Sequence, residues 1–374
     1  MSEWRTVSDC CISHMMRDLL DDYTRFVEAG APFGRAVVTS VWGSAPRPEG
    51  SSMLATADGR IAGSVSGGCV EAATTLEIQA ALQRGTPKLV TFGVTDERAW
   101  EVGLACGGTI KVFVEPTVRP EILEAAQGTG GEVVATVVVG PALGESIRVL
   151  ENGEIHGKLS VSLPIEPLRA AALTGLRREA SVSETLETEY GAVTLFLEVF
   201  PRPPRIVIFG AGQIAAEMVP LSKALGYHTI VADGRKSFLD PERFPAADEL
   251  ILAWPEETFE RIGLDASCYV CLLSHDPKFD EPALQVALRS AARYVGAIGS
   301  KRTQAARRER LRELGLQELE IGRLHGPIGL DLGGRHPAEI ALAIMAEITA
   351  VRYGATATVR ASSLDRSRPA PALA

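Results

Sequence analysis

The stretch RIVIFGAGQIAAEM, residues 205–218, decides the fold of the second half of the chain. An apolar run ends in Gly210, Ala211 and Gly212, and a helical pattern follows that carries Ala215 in the position of a third glycine. In this G-x-G-x-x-A form of the dinucleotide fingerprint, the first glycine makes a tight turn and the second lets a phosphate approach the backbone. The helix N-terminus adds amides and a partial positive charge. The stretch therefore predicts a strand, a turn and a helix that bind a nucleotide or a phosphate.

The next apolar run, HTIVAD, ends in an acid that fits the same fingerprint. Asp233 stands about 20 residues after the glycines, where an acid would bond a ribose hydroxyl. Arg235 follows two residues later. A purely structural glycine turn is the alternative, but strand, turn, helix, strand and acid occur in the order that nucleotide binding requires. The motif does not specify a nicotinamide.

Outward from this stretch, apolar runs alternate regularly with helical patterns. This rhythm predicts an α/β domain with a Rossmann-like, doubly wound parallel sheet over residues 205–354. A closing helix is predicted over 336–354, with Pro337 near its start. The sequence PRPP at 201–204 is interpreted as a linker between two domains, and residues 355–374 as a disordered tail.

Two further strand ends in this domain carry polar residues. One strand ends in Ser274, His275 and Asp276, and the residue after another, Ser300, is a predicted helix N-cap. Because the carboxyl ends of the strands form the ligand crevice of such sheets, these residues are candidates for ligand contact. Asp276 is equally interpretable as the cap of the next helix.

The first turn of the helix after Ser300 carries two basic residues. Lys301 and Arg302 oppose the helix dipole there, which favours an anion nearby. The alternative is that both side chains simply extend into water. The sequence leaves the two interpretations open.

The first 200 residues predict a different, α+β domain. A helix is expected over 14–29 and a hairpin that turns at Asp58 and Gly59. A second helix is expected from about Gly68 to Gln83. Further strands are predicted at 34–43, 88–94, 109–116, 132–140 and 193–200.

Composition limits the function classes. The net charge of −9 argues against general binding of nucleic acid. No apolar run approaches the ~20 residues needed to cross a bilayer. The N-terminus shows no signal-peptide pattern. Six cysteines in 374 residues do not make a disulfide scaffold. These features together favour a cytoplasmic protein with free thiols.

One thiol follows two glycines. Gly67 and Gly68 precede Cys69, which is expected in the first turn of the helix. A helix N-terminus would stabilise a thiolate there, and the glycines would clear space for a ligand at the same amides. Glu71 would partly offset this effect. The alternative is a small residue packed in a tight turn.

A second thiol has the same kind of neighbours. Cys106 is followed by Gly107 and Gly108 before a predicted strand. Two glycine-flanked cysteines favour a soft-metal or sulfur-handling site over two ordinary turns. Zinc is disfavoured, because four ligands at familiar spacing are lacking. Cys268 and Cys271 have C-x-x-C spacing, but residues three apart in a strand face opposite sides of a sheet, so core packing is expected instead.

Three long stretches resemble a known family. They are GSAPRPEGSSMLATADGRIAGSVSGGCVEAA, WEVGLACGGTIKVFVEP and HGPIGLDLGGRHPAEIALAIMAEI. They are similar to the XdhC/CoxI family, the accessory proteins of xanthine dehydrogenase and carbon monoxide dehydrogenase. The resemblance extends through about residue 116 and again from about 205 to 352.

The resemblance implies a maturation factor. Such a protein is expected to bind the molybdenum cofactor (molybdopterin), to support its sulfuration by a cysteine desulfurase-type donor, and to deliver it to an apo molybdenum hydroxylase. It implies Cys106 as the first candidate for contact with molybdenum and Cys69 as the second. Three possibilities stay open for the Rossmann crevice: it binds a nucleotide or dinucleotide, it binds the cofactor's own tail, or it binds nothing. Independently of the resemblance, a homodimer is a common state for a soluble protein.

Two other functions remain open from the sequence. An NAD(P)-dependent oxidoreductase would explain the fingerprint, but no convincing proton donor accompanies it. A sulfur-transfer protein would carry a persulfide on Cys106 or Cys69.

Overall fold

The chain divides into two units, Met1–Arg202 and Pro203–Ala374. The computed structural model describes residues 15–43, 46–93 and 108–355. The predicted tail therefore lies outside the described residues, apart from Ala355. Each unit is built around its own sheets.

The first sheet of the first unit is antiparallel and holds five strands in the order β3-β2-β1-β5-β4. The strands are β1 (Phe33–Trp42), β2 (Ser52–Thr56), β3 (Ile61–Gly63), β4 (Lys88–Phe92) and β5 (Thr109–Glu115). β2 and β3 form the predicted hairpin around Asp58 and Gly59, which is confirmed.

The second sheet of this unit is also antiparallel, in the order β8-β7-β6-β10-β9. Its strands are β6 (Glu132–Val139), β7 (Ser146–Leu150), β8 (Ile155–His156), β9 (Val182–Thr188) and β10 (Gly191–Phe200). The sequence predicted two of the five strands, β6 and β10. The other three were missed, partly because β8 is very short and β9 is largely exposed, so neither shows a clear apolar pattern.

A small core and a buried ion pair join the two sheets. Val37 and Phe113 of the first sheet pack with residues of the second in one buried cluster. Arg35 of β1 pairs with Glu115 of β5 and with Glu198 of β10. Burial alone lowers the pKa of Arg35, but the two carboxylates outweigh it and raise that pKa.

In its described residues this unit has four α-helices: α1 (Leu20–Glu28), α2 (Glu71–Arg84), α3 (Pro120–Gln127) and α4 (Ile165–Arg178). A 3₁₀ turn, Met16–Leu19, precedes α1, so the helix predicted over 14–29 is confirmed apart from its first turn. The predicted start of α2 is wrong. The helix begins at Glu71, because Gly67 and Gly68 have φ values of 82° and 125°, which no right-handed helix contains.

The second unit is a six-stranded parallel sheet in the order β13-β12-β11-β14-β15-β16. The strands are β11 (Arg205–Phe209), β12 (His228–Asp233), β13 (Glu249–Leu252), β14 (Cys268–Leu272), β15 (Tyr294–Ala297) and β16 (Leu324–His325). This is the 3-2-1-4-5-6 order of a doubly wound Rossmann sheet. The predicted fold class is therefore confirmed.

Helices cover both faces of the parallel sheet. They are α5 (Gln213–Ala224), α6 (Pro255–Ile262), α7 (Pro277–Arg289), α8 (Lys301–Glu313), α9 (Glu318–Gly322) and α10 (Pro337–Arg352). Side chains of α5 and α10 share one buried cluster, and those of α6 to α9 share the other. None of the helices among the described residues is both long and apolar enough to span a bilayer.

Candidate functional site

The glycine loop of the second unit lies where the strand order reverses, between β11 and β14. Gly210 has a φ of 106°, and a Cβ atom there would lie 2.7 Å from the amide nitrogen of Ser274. Only glycine fits that position. A Cβ atom on Gly212 would meet nothing within 4 Å, so the space beside it is open. Ala215 is fully buried, which allows α5 to pack closely on the sheet.

The carboxylate of Asp233 is surrounded by donors from the protein itself. Its Oδ2 accepts hydrogen bonds from the Ala211 amide and from Nη2 of Arg235, each at 2.9 Å. Its Oδ1 accepts from the amide and from Nε of Arg235, also at 2.9 Å. Burial alone raises the pKa of Asp233, but these hydrogen bonds outweigh it and lower the pKa. Asp233 therefore ties Arg235 to the glycine loop.

The loop after β14 reaches the same edge of the sheet. Ser274 donates a hydrogen bond from Oγ to Oδ1 of Asp280 at 2.5 Å. His275 has a φ of 61°, which is uncommon for a residue with a side chain. Asp276 accepts a hydrogen bond from the Lys278 amide, so its expected role as a helix cap is confirmed.

The N-terminus of α8 follows β15 at this edge. Ser300 accepts a hydrogen bond from the Thr303 amide at 3.1 Å, which confirms it as the N-cap. Lys301 and Arg302 are exposed, and neither forms an ion pair with another residue in the described part of the chain. Both charges therefore face solvent at the carboxyl edge of the sheet.

A buried polar cluster that the sequence did not reveal supports this edge. Arg307 of α8 donates to Asp280 at 2.7 Å, to Gln304 at 2.8 Å and to the carbonyl of Ile298 at 3.0 Å. Burial raises the pKa of Asp280 and lowers that of Arg307. Each charge thus depends on the other. The sequence did not indicate that Arg307 is buried, because α8 is rich in arginine and such a pattern is typical of a solvent-exposed helix face.

A second missed cluster fixes the loop after β16. Glu347 of α10 accepts hydrogen bonds from Tyr294 and from the Gly329 amide, and it lies 3.4 Å from Nδ1 of His325. The His325 ring stacks on Tyr294 with centroids 4.5 Å apart. Burial alone raises the pKa of Glu347, but these partners outweigh it and lower the pKa. The cluster joins the edge strand to α10.

In the first unit, Glu71 fills the loop that precedes α2. Its carboxylate accepts hydrogen bonds from the amides of Gly67 at 3.0 Å and Gly68 at 2.8 Å. It also accepts from the hydroxyls of Ser64 and Ser66, each at 2.7 Å. Partial burial raises the pKa of Glu71, but these hydrogen bonds outweigh it and lower the pKa to about 2. The amides that the sequence offered to a ligand are therefore already bonded to Glu71.

Cys69 stands two residues before α2 rather than in its first turn. Its amide donates to Oγ of Ser66 at 3.1 Å, and its side chain is exposed. The loop is thus held by internal hydrogen bonds while the thiol faces solvent. The amides expected to stabilise a thiolate are bonded within this loop instead, which corrects that expectation.

The described residues next to the two glycine-flanked cysteine segments belong to the first sheet. The Cys69 loop follows β3, whose last residue pairs beside the start of β2. Gly93, after β4, packs against Thr109 at the start of β5, beside the end of β1. Gly108 is described and buried. Cys106 and Gly107 lie outside the described residues.

The remaining described cysteines are core residues. Cys268 and Cys271 are both fully buried, and they belong to clusters on opposite faces of the parallel sheet. Burial raises the pKa of both thiols. The prediction that this C-x-x-C pair packs in the core is confirmed. Within the described ranges, no three His, Cys, Asp or Glu side chains gather as a metal site would require.

Comparison with known proteins identifies the class of this two-unit architecture. The sequence matches the XdhC and CoxI family over residues 26–93 and the XdhC Rossmann domain over residues 206–348. The chain belongs to the XdhC and CoxI family.

Particular relatives cover most of the chain. It is 26% identical over 324 residues to a probable xanthine dehydrogenase subunit from Bacillus subtilis (strain 168), covering 85% of this chain and 92% of that protein. It is 29% identical over 323 residues to the molybdenum cofactor insertion chaperone PaoD from Escherichia coli (strain K12), covering 85% and 84%. A crystal structure of a xanthine dehydrogenase from Bacillus halodurans superposes with a TM-score of 0.68 at 26% identity, over 94% of this chain and 98% of that one.

Proposed function

We propose that this protein is an accessory maturation factor that binds the molybdenum cofactor and inserts it into a xanthine dehydrogenase-type hydroxylase. Membership of the XdhC and CoxI family supports this function, and the chaperone relative from Escherichia coli carries it in its name. The cofactor is the cargo of such a factor. It is held and passed on, while the hydroxylase carries out the metabolic reaction.

One observation carries the proposal at the level of residues. The exposed Cys69 follows β3 in a loop that internal hydrogen bonds hold, and Cys106, the second glycine-flanked cysteine, stands in the sequence between β4 and β5 of the same sheet. A thiolate is a good ligand for a soft metal centre, and glycines allow a bulky group to approach the backbone. Cys106 is the proposed first contact of molybdenum and Cys69 the second.

Glu71 has a supporting role in this site. Because its carboxylate already satisfies the loop amides, the cofactor phosphate is not expected to bind them. Instead, Glu71 holds the loop in one conformation, so that the exposed thiol of Cys69 is presented without an ordering penalty at the moment of binding. Glu71 is thus a positioning residue.

Two partners follow from the function. The acceptor is an apo molybdenum hydroxylase. The sulfur source is a cysteine desulfurase-type protein, which would act while the cofactor is held. An exposed thiol at the site is compatible with sulfur delivery from such a donor.

A transfer assay tests the function. The protein is loaded with molybdenum cofactor, separated from free cofactor and mixed with apo-hydroxylase, and the recovered hydroxylase activity is measured. We expect efficient recovery with wild type, a large loss with Cys106→Ala and a smaller loss with Cys69→Ala. Cys268→Ala, which alters a core thiol, serves as the matched control and should behave as wild type once its folding is verified. Recovery that is no greater than with free cofactor would refute the proposal.

A further inference from the structure

The acid end of the Rossmann crevice carries a continuous cationic and aromatic surface. Its members are Arg235, Phe238 and Trp254, together with the buried ring of Phe279 beneath them, and the four side chains are here called the Arg235 surface. The guanidinium carbon of Arg235 lies 3.8 Å from the centre of the Phe238 ring and 5.8 Å from that of Phe279. Trp254 stacks on Phe279, with ring centres 4.7 Å apart and planes at 29°.

The surface is connected directly to the glycine loop. Asp233 bonds both the Ala211 amide and Arg235, so the loop and the guanidinium are held by one carboxylate. Gly234 allows the chain to pass close to the aromatic rings, since a Cβ atom there would be 3.1 Å from the Phe279 ring. A ligand that begins at the open position beside Gly212 therefore extends towards Arg235.

Asp233 itself is not offered to a ligand. Its side chain is only 2% exposed, and both oxygens accept two hydrogen bonds from the protein. A ribose diol would have to displace Arg235 to reach it. In Rossmann domains, an acid at this point reads a ribose hydroxyl, whereas a nearby arginine accommodates a phosphate. In this protein the exposed group is the arginine, so the geometry favours a phosphate over a ribose hydroxyl at this point.

Arg235 has a free donor and an exposed positive charge, as binding of an anion requires. Its Nε and Nη2 are used by Asp233, but no group in the described residues accepts a hydrogen bond from Nη1. The side chain is 39% exposed. The hydrogen bond to Asp233 is the main cause that raises the pKa of Arg235, so the group stays cationic. Asp276 is a nearby negative charge. Lys236, the next residue along the chain from Arg235, is exposed.

Trp254 provides a flat wall. It is 54% exposed although it stands at the ordered start of α6, between a buried alanine and Pro255. Because one face rests on Phe279, the indole is held in place with little freedom to lose on binding. Stacking on an aromatic side chain suits any flat heterocycle.

We propose that the Arg235 surface binds a phosphorylated, flat heterocycle, with Arg235 on the phosphate, Trp254 stacked on the ring and Asp233 as a positioning residue that does not touch the ligand. Two sources supply this chemistry: a purine nucleotide with an extra phosphate, and a pterin phosphate. In the pterin case the inference rests on the proposed function.

Two pairs of probes, each differing only by a phosphate, test this inference. They are NADP⁺ with NAD⁺, and an oxidised molybdopterin derivative with its dephosphorylated form. Affinity is measured by calorimetry on the full chain. In at least one pair, we expect the phosphorylated member to bind at least about tenfold more tightly than its partner without the phosphate. A factor of this size corresponds to one charge-assisted hydrogen bond.

Variants assign the effect to the residues. Arg235→Gln should abolish the preference for the phosphorylated member, and Arg235→Lys should restore only part of it, because a lysine lacks the fork. Trp254→Leu should weaken both members of the pair about tenfold while keeping their ratio. Arg312→Gln and Tyr190→Leu alter an exposed arginine fork and an exposed aromatic ring elsewhere, and should change neither quantity.

The outcomes separate the inference from the proposed function. The absence of a phosphate preference in both pairs, or no binding of any probe, would overturn the inference, whether or not the transfer assay succeeds. A phosphate preference that depends on Arg235 supports it, even if cofactor transfer fails. Preference in the first pair identifies a nucleotide as the source, and preference in the second identifies the pterin.

Discussion

The carboxylate of Glu71 accepts a hydrogen bond from the amide of Gly68 at 2.8 Å, directly beside the exposed Cys69. A glutamate at the start of a helix thus occupies the anion site that the glycines would otherwise offer. The relationship explains how a loop with two glycines holds one shape.

Removing the charge of Glu71 should destabilise the protein. Glu71→Gln weakens several charge-assisted hydrogen bonds, and we expect the free energy of unfolding to fall by about 2 kcal/mol. Urea unfolding at neutral pH measures this. Glu77→Gln is the control: Glu77 lies on the same helix and forms a partly exposed ion pair with Lys88, so the change in stability should be about 0.5 kcal/mol or less.

The same residue predicts a pH dependence. The pKa of Glu71 is lowered from 4.5 to about 2 in the folded chain. Its contribution to stability is therefore fully present above its unfolded pKa and is lost as the pH falls through 4.5 towards 2. The stability difference between wild type and Glu71→Gln should be largest near neutral pH and shrink in acid. A difference that is constant down to about pH 3 would contradict the assignment.

The ion pair between the sheets of the first unit should be costly to break. Arg35→Met leaves the buried Glu198 without its partner, while Glu115 keeps its ion pair with Arg119, and we expect a loss of about 3–5 kcal/mol in unfolding free energy. Adding Glu198→Gln to that variant should recover part of the loss. Arg25→Met removes an exposed pair with Asp22 and should have little effect. Similar losses for the two arginines in a denaturant titration would argue against a buried network.

The two glycines of the fingerprint should behave differently. Gly210→Val forces a Cβ atom against the backbone of Ser274 and requires a left-handed residue, so the variant should fold poorly. Gly212→Val places its side chain in open space, so the melting temperature should change little while binding at the loop is blocked. Thermal unfolding and calorimetry on the two variants make the comparison. A Gly212→Val protein that binds the phosphorylated probe as wild type does would exclude the loop from the site.

Thiol labelling tests which cysteines are accessible. Among the described cysteines, Cys69 should react with an alkylating reagent in the native protein, whereas Cys268 and Cys271 should react only after unfolding. Peptide mapping by mass spectrometry reports each site. Labelling of Cys271 at native rates would show that the parallel sheet opens readily.

Much of the second unit is predictable, because buried parallel strands appear as continuous apolar runs between helical patterns. β13 and β16 were missed since each is short and only partly buried. The glycine loop was located correctly from its spacing. The sequence predicted that Asp233 would bond a ribose hydroxyl, and the ion pair with Arg235 was not expected. The two residues are only two positions apart, a spacing that allows the Arg235 side chain to fold back onto the Asp233 carboxylate.

The first unit was harder to predict for a physical reason. Its sheets are held by contacts between distant residues, such as Arg35 with Glu198, which leave no periodic signal. The sequence predicted a helix start in the loop before α2, with its glycine amides free for a ligand. In the structure the side chain of Glu71 accepts hydrogen bonds from those amides and holds the loop outside the helix. A glutamate three residues after a glycine pair, preceded by serines, was the signal that could have revealed this arrangement.

The amount of molybdenum cofactor bound to the purified full chain, by metal and pterin analysis, tests the maturation function most directly when wild type is compared with Cys106→Ala. We expect close to one cofactor per wild-type chain and a marked loss in the variant, with Cys69→Ala affected less. A wild-type chain that binds no cofactor, but binds nicotinamide nucleotide tightly, would contradict the maturation function and favour an oxidoreductase.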